Sequence, residues 1–368
     1  MPTWMYNGTH LPVAWFGANR SGYENEAQMK QLVRYDLVTF GWQAFLDKSN
    51  FTHEAQDLVA QARRVKQSRA ALPVIIYLDA ELAEPFQDSV RRAMGNSSQQ
   101  DFFLRDQAGA PITCNVFCRS MGLSHTDPRC LAFYWNWFNQ SAVDYYLNEY
   151  VRPIVAQPGF DGIFFDGADE WIKQAGHTWR VASNVPNNVT DALALKVLID
   201  VRVRVTALLH ANGKYPIISE HASDTTTAQQ AYISSRMAGL GYSRYYEFWS
   251  PAALYIEEAL NLTQRSSSPV PVFCRQLISR GLRLLDSIAA FLIVRGEYSY
   301  YSASTGWFDR DWQWHPEYDL TYGSPLGPAT VSSEGVYQRR YTNCSVLVNC
   351  TAAAARDGNC EGTIYFKA

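Results

Sequence analysis

The stretch that decides the fold is Gly159-Phe-Asp-Gly-Ile-Phe-Phe-Asp-Gly-Ala-Asp-Glu-Trp171. Its apolar run predicts a buried strand that ends at Asp166, after which Gly167 allows the backbone to turn sharply. An acid after a strand can also cap the following helix, and this alternative suits Asp169 better than Asp166. We therefore predict that Asp166 stands at the carboxyl end of a buried parallel strand.

Short apolar runs alternate with amphipathic helical stretches along the rest of the chain, which is typical of a parallel sheet with crossover helices. The predicted strands are 12–17, 36–42, 73–79, 160–166, 215–220, 244–248, 269–274 and 297–302. Eight strands match a closed (β/α)8 TIM barrel over 1–304, a size that one barrel domain accommodates. An open doubly wound sheet is the alternative.

Two stretches depart from this repeat. Residues 96–137 are aromatic and contain cysteines, and we expect them to form a long loop insertion that folds over the barrel mouth. Residues 305–368 begin Trp/Pro/Gly-rich and continue with alternating apolar and polar residues, which predicts a small C-terminal antiparallel β appendage packed on the barrel. The predicted fold class is α/β, a TIM barrel with this appendage.

The composition excludes several classes of protein. Hydrophobic residues make up 47% of the chain and charged residues 18%, which is enough apolar side chain for a sizeable core. A net charge of -3 argues against nucleic acid or an anionic membrane as the main partner. No apolar run reaches the roughly 20 residues that a membrane span needs.

Asparagine and cysteine usage indicates a secreted or secretory-pathway protein. Chance would place roughly two or three asparagines in Asn-x-Ser/Thr sequons, whereas N-glycosylation accounts for an excess. Nine of the 17 asparagines lie in such sequons: Asn7, Asn19, Asn50, Asn96, Asn139, Asn188, Asn261, Asn343 and Asn349.

The seven cysteines fit an oxidising compartment. We expect one local disulfide among Cys114, Cys118 and Cys130, and another among Cys344, Cys350 and Cys360. Cys274 ends an apolar run, and we therefore expect it to be a buried free thiol. The irregular spacing and the lack of a paired-His motif argue against a zinc site.

Four predicted strands end in carboxylates, at Asp79, Asp166, Glu220 and Glu247. Barrel enzymes carry their catalytic groups at this end of the strands, and glycoside cleavage needs two carboxyl groups. A structural ion pair with Arg244 or Arg275 is the alternative for Glu220 and Glu247. We expect Asp79 to bind a substrate hydroxyl or an arginine.

Side chains that follow the strands are predicted to line a sugar-binding cleft, with ordinary loop packing as the alternative for each. They are Trp42 and Gln43 after strand two, Trp171 after strand four, Trp249 after strand six, Arg275 after strand seven, and Tyr300 and Trp307 near strand eight.

Several motifs together resemble the TIM-barrel proteins known as hypothetical glycosyl hydrolases, which are distantly similar to endo-α-1,4-polygalactosaminidases. The motifs are the segment ending at Asp166, Trp135-Asn-Trp-Phe-Asn-Gln-Ser-Ala-Val-Asp-Tyr-Tyr146, Tyr246-Glu-Phe248, His315-Pro-Glu-Tyr-Asp-Leu320 and Gly323-Ser-Pro-Leu-Gly327. The resemblance extends over the whole chain in order.

The resemblance implies a catalytic pair of Asp166 and Glu247, from strands four and six. Strand five often ends in Asn in such barrels, so Glu220 departs from the pattern and is a second candidate for the acid. The family-eighteen chitinase pattern fails, because Ala168 stands where it requires a glutamate.

The predicted function is hydrolysis of O-glycosidic bonds in an oligosaccharide or polysaccharide, without a cofactor or required metal. By the resemblance, retention through a glycosyl-Asp166 intermediate is favoured over inversion. A non-catalytic carbohydrate-binding barrel is one rival. A metal-dependent hydrolase with Asp166, Asp169 and Glu170 as ligands is the other.

Overall fold

The computed structural model describes residues 8–42, 44–45, 54–166, 179–219, 236, 241, 243–248, 252–265, 272–277, 283–304, 314–351 and 359–367. Within 243–248 and 272–277 it describes the backbone, and the side chains lie outside the described part. No helix in these ranges is both long and apolar enough to cross a membrane.

The strands, in chain order, are β1 (Ala14–Gly17), β2 (Leu37–Phe40), β3 (Val74–Asp79), β4 (Leu82–Ala83), β5 (Thr113–Cys114), β6 (Ala132–Tyr134), β7 (Gly162–Asp166), β8 (Tyr215–Ser219), β9 (Ser243–Phe248), β10 (Val272–Leu277), β11 (Tyr300–Ser304), β12 (Thr330–Val331), β13 (Val336–Arg340), β14 (Cys344–Asn349) and β15 (Glu361–Phe366).

The α-helices are α1 (Glu26–Leu32), α2 (Glu54–Ser68), α3 (Asp88–Gly95), α4 (Val116–Met121), α5 (Gln140–Tyr145), α6 (Arg152–Val155), α7 (Asp191–Ala211), α8 (Ala253–Leu260) and α9 (Leu284–Val294). A π-helical segment, Tyr146–Val151, joins α5 to α6, and another, Asn261–Arg265, extends α8. Short 3-10 helices lie at Ser97–Phe102 and Pro316–Asp319.

Eight strands form one parallel sheet in the order β1-β2-β3-β7-β8-β9-β10-β11. One isolated contact links the first and last strands of this order. Val13 and Tyr301 form a parallel bridge, and the Tyr301 N–H donates to the Pro12 carbonyl at 2.7 Å. Phe16 of β1 also contacts Phe164 of β7, with ring centroids 5.2 Å apart.

The strands are apolar enough to be buried on both faces, as parallel strands between helices must be. Every residue of β3 is buried, and so is every residue of β2. The last two main strands run further than their apolar runs predict. β10 extends from Val272 through Arg275 to Leu277, and β11 ends at Ser304.

Two smaller antiparallel sheets complete the described structure. One has the order β4-β6-β5 and joins the residues after β3 to the predicted insertion, where Cys118 and Cys130 form a disulfide. The other is the predicted C-terminal sheet, with the order β12-β13-β14-β15 and a disulfide between Cys350 and Cys360. The expectation of a local disulfide in each cysteine cluster is confirmed. The side chain of Cys274 lies outside the described part.

Candidate active site

Asp79 and Asp166 are brought together by strand register. They are the last residues of β3 and β7, and the ladder between the two strands pairs them directly. Paired residues of neighbouring parallel strands lie on the same face of a sheet. Asp166 is half-buried, whereas Asp79 is only 5% exposed. Asp79 therefore lies behind Asp166 at the carboxyl end of the sheet.

The hydroxyl of Tyr77 stands between the two carboxyl groups. It donates to Oδ2 of Asp166 at 3.0 Å and lies 3.4 Å from Oδ2 of Asp79. Tyr77 precedes Asp79 by two positions, so strand alternation places both on one face. Burial, followed by the charges of Asp166 and Asp79, raises the pKa of the Tyr77 phenol well above its usual value, so the phenol keeps its proton.

The other oxygen of Asp79 is held by the chain that follows the strand. Oδ1 accepts from the backbone N–H groups of Glu81 and Leu82, at 2.8 and 2.6 Å. These bonds favour the carboxylate form, but burial and the charges of Glu84 and Asp166 outweigh them. The pKa of Asp79 is raised well above its usual value.

A third carboxyl group, Glu84, lies behind Asp79 in the turn after β4. It is 1% exposed, and its Oε2 accepts from the Tyr150 hydroxyl at 2.8 Å. Burial is the largest cause of a pKa that is raised to about 8, and the hydrogen bond from Tyr150 lowers it only in part. Two neighbouring acids in a dry site cannot both ionise cheaply, so neutral forms are favoured for Glu84 and Asp79.

An aromatic layer keeps water away from these acids. Trp135 stacks on Trp137 with centroids 5.6 Å apart, and Tyr146 meets both rings edge to face at 5.6 and 5.0 Å. Tyr146 also contacts Tyr150, at 5.4 Å. All four side chains are at most 2% exposed. The Trp135 to Tyr146 motif is thus the packing that desolvates the carboxyl groups.

For the other predicted site residues, the structure describes some side chains, only the backbone of others, and a few not at all. The register of β9 and β10 pairs Glu247 with Arg275, whose side chains lie outside the described part. Trp42 is buried, stacks on Phe86 at 5.9 Å and meets Phe117 edge to face at 4.7 Å. Tyr300 is buried where β11 begins. Five predicted residues lie outside the described residues, namely Gln43, Trp171, Glu220, Trp249 and Trp307.

Sequence reasoning missed Tyr77, Glu84 and Tyr150. Tyr77 lies within a buried strand and reads as core packing, although its position two residues before Asp79 indicates the shared face. Glu84 follows the strand by five residues and carries no periodic signal. In the described part of the chain, no cluster of three His, Cys, Asp or Glu residues could hold a metal ion. The predicted independence from metal stays a prediction.

The half-buried Asp166 is the group of this site that can meet a substrate. The hydrogen bond from the Tyr77 hydroxyl supports the anionic form of Asp166, and the raised pKa values of Asp79 and Glu84 favour the neutral forms of those two acids. Such a carboxylate can attack an electrophilic carbon or activate water.

Several solved structures are similar to this chain at low sequence identity. Amy13B from Eubacterium rectale is 9% identical with a TM-score of 0.52, covering 94% of this chain and 86% of that one. A complex of Aspergillus fumigatus Ega3 with galactosamine is 12% identical with a TM-score of 0.46, covering 84% and 96%. Arthrobacter globiformis cyclic alpha-maltosyl-(1→6)-maltose hydrolase is 11% identical with a TM-score of 0.47, covering 99% and 94%. The likeness to Amy13B concerns the fold alone.

Sequence comparison finds no curated protein that matches the chain, but it finds one matching family model. The model of hypothetical glycosyl hydrolase family 15 matches residues 278–345, which include α9, β11, β12 and β13. This match, over 68 of the 368 residues, confirms the resemblance to hypothetical glycosyl hydrolases that the sequence predicts.

Proposed function

We propose that the chain is a retaining glycoside hydrolase of an oligosaccharide or polysaccharide, with Asp166 as nucleophile and Glu247 as general acid in a closed (β/α)8 barrel. The observation that carries the proposal is the Asp166 carboxylate, half-buried at the end of β7 and held by the Tyr77 hydroxyl at 3.0 Å. The Val13–Tyr301 bridge supports closure of the barrel.

Retention needs a carboxylate that attacks the anomeric carbon and an acid that protonates the departing oxygen. A glycosyl ester then forms on Asp166, and water activated by the former acid hydrolyses it. Position 247, two strands away in the sheet order, is separated from β7 by β8. That spacing supports a substrate bound between the two groups. A gap of about 5–5.5 Å between the carboxyl groups is typical of retention, and roughly 6.5–9.5 Å of inversion.

The test is a panel of α- and β-linked glycans, with the anomer of the first product followed by NMR. We expect net retention, and a 2-fluoro glycoside should trap an ester on Asp166 that mass spectrometry locates. Asp166→Asn should abolish turnover and keep sugar binding, because the amide preserves shape without the charge. Binding without turnover in the wild type would instead identify a carbohydrate-binding barrel. Loss of turnover on chelation, restored by a divalent cation, would identify a metal-dependent hydrolase.

The acid is assigned by leaving-group dependence. Glu247→Gln should lower the rate by about 10²–10⁴ on substrates with poor leaving groups and much less on activated ones. Glu220→Gln is the matched control and should show no such dependence. If the two variants behave in the opposite way, Glu220 is the acid.

A further inference from the structure

One hydroxyl group, that of Tyr77, lies between two carboxyl groups at the centre of the site. We propose that Asp79 and Tyr77 form a proton-ordered relay in which neutral Asp79 donates to the Tyr77 oxygen and Tyr77 donates to the Asp166 carboxylate. In this relay Asp79 and Tyr77 are positioning residues that act on the substrate through Asp166. The inference rests on the proposed function, since it gives Asp166 the role of nucleophile.

Counting protons sets the direction of the relay. A tyrosine hydroxyl has one hydrogen to donate, and an ionised carboxylate only accepts. Two contacts, at 3.0 Å to Asp166 and 3.4 Å to Asp79, therefore need a second proton if both are hydrogen bonds. That proton must sit on one of the two carboxyl groups. The shorter contact, to Asp166, is the one that the Tyr77 hydrogen occupies.

Position and surroundings place the second proton on Asp79. Asp79 is 5% exposed, whereas Asp166 is half-buried and better solvated. The charges that most raise the pKa of Asp79 are those of two acids, Glu84 and Asp166, and the phenols of Tyr77, Tyr146 and Tyr150 also interact electrostatically with it. Because Oδ1 is occupied by two backbone N–H groups, the proton belongs on Oδ2, the oxygen nearest Tyr77.

The relay has two consequences for Asp166. It directs the Tyr77 hydroxyl hydrogen toward Oδ2 of Asp166, and this hydrogen bond orients the Asp166 carboxylate and stabilises its charge. It also keeps a second negative charge from forming beside the nucleophile, where repulsion would favour protonated Asp166. The burial of Asp79 favours this role behind Asp166 over contact with the substrate.

Two isosteric variants test the relay. Asp79→Asn copies a neutral carboxyl group, since its oxygen can accept from both backbone N–H groups and its nitrogen can donate to Tyr77. We expect its kcat to fall by less than that of Tyr77→Phe, and the acid limb of its pH–rate profile to stay in place. Tyr77→Phe removes the donor to Asp166, so kcat should fall by about 10- to 100-fold and the acid limb should move to higher pH.

Infrared spectroscopy tests the protonation state without activity. Neutral Asp79 should give a carboxylic-acid C=O band at neutral pH that Asp79→Asn removes. Glu84→Gln is the matched control and should remove a different band and spare that of Asp79.

The outcomes separate the relay from the proposed function. The relay would be overturned if Asp79→Asn were as inactive as Asp166→Asn. It would also be overturned if the acid limb did not move in Tyr77→Phe, or if the infrared spectrum lacked the Asp79 band. An active Asp166→Asn would overturn the proposed function instead, and the infrared result would still decide whether Asp79 carries the proton.

Discussion

Glu84 is a buried acid whose charge the fold opposes. Its carboxyl group is 1% exposed, accepts from the Tyr150 hydroxyl and has a pKa raised from 4.5 to about 8. Between these two values the native protein holds a proton that the unfolded chain releases. The free energy of unfolding therefore decreases as pH rises through this window, and the stabilising effect of the bound proton is complete only below pH 4.5.

We predict that Glu84→Gln removes this contribution to the pH dependence. The amide resembles the protonated acid and cannot ionise, so the variant should match the wild type in melting temperature near pH 5 and exceed it near pH 8. Thermal unfolding at both pH values measures the difference. Glu334→Gln, on an exposed turn, is the control and should shift neither value. A Glu84→Gln protein that loses as much stability as the wild type between these pH values would show that Glu84 ionises freely.

At this scale the sequence predicts the acids at strand ends better than their partners. Asp79 and Asp166 end apolar runs, and the structure pairs them in register. Tyr77 and Glu84 give no such signal, because a tyrosine in a strand and an acid in a turn are common in any protein. Their role depends on contacts that only the tertiary structure creates.

Helix α9 joins the parallel sheet to the C-terminal sheet. Each of its residues from Asp286 to Val294 is buried. The helix ends against two side chains of the C-terminal sheet. Arg339 donates to the backbone carbonyls of Leu292 and Ile293 at 3.2 and 3.1 Å. The Tyr341 hydroxyl also donates to the Leu292 carbonyl, at 2.6 Å. These bonds satisfy carbonyls that a helix end leaves without an intrahelical partner.

The close packing of β15 on α9 depends on Gly362. A Cβ atom at this position would lie 2.5 Å from Cβ of Ala289 and 3.0 Å from Cα of Asp286. The Gly362 N–H also donates to Oδ1 of Asp286 at 2.8 Å, which an outward shift of the strand would break. We predict that Gly362→Ala lowers the free energy of unfolding by about 1–3 kcal/mol through overpacking.

Urea unfolding checks this prediction against Gly327→Ala. Gly327 has nothing within 4 Å of an added Cβ, so its substitution should change the free energy of unfolding by no more than about 0.5 kcal/mol. Equal effects of the two substitutions would mean that backbone entropy, and not the contact with α9, determines the loss.

The sequence predicts which elements exist better than where they end. Each of the eight predicted strands overlaps a strand of the parallel sheet, but the predicted strand 269–274 is found as Val272–Leu277. An apolar run marks the part of a strand inside the core. Polar residues such as Arg275 break that run while the backbone continues its ladder to the end of the sheet. The apolar pattern therefore omits the polar residues at the ends of strands, which are the residues that lie closest to a site.

At the scale of the whole molecule, the segment 96–137, which the sequence predicts as an insertion, lies beside the acids. β6 of the insertion pairs with β4, which begins three residues after Asp79, and the Trp135 N–H donates to the Glu81 carbonyl at 3.3 Å. The segment that desolvates the site thus comes from outside the repeating pattern of strands and helices. Sequence periodicity predicts the strands and helices of a barrel, but it does not predict where a segment outside that repeat packs.

The distribution of sequons over the molecule gives the last prediction. Asn96, Asn188 and Asn261 are exposed, whereas the side-chain amides of Asn139 and Asn343 donate to backbone carbonyls at 3.1 and 3.3 Å. A glycan on an exposed asparagine extends into solvent, but one on Asn139 or Asn343 would have to fit against the backbone that the amide touches. We therefore expect protein from a eukaryotic secretory host to carry glycans at Asn96, Asn188 and Asn261, the sequons that are exposed within the described residues, and to lose several kilodaltons on enzymatic deglycosylation. Peptide mass spectrometry gives the occupancy of each site. Ser98→Ala removes the sequon of Asn96 and keeps the asparagine, so it should reduce the mass by one glycan. A wild-type mass that deglycosylation leaves unchanged would contradict secretion through this pathway, and the two disulfides would then need another oxidising compartment to explain them.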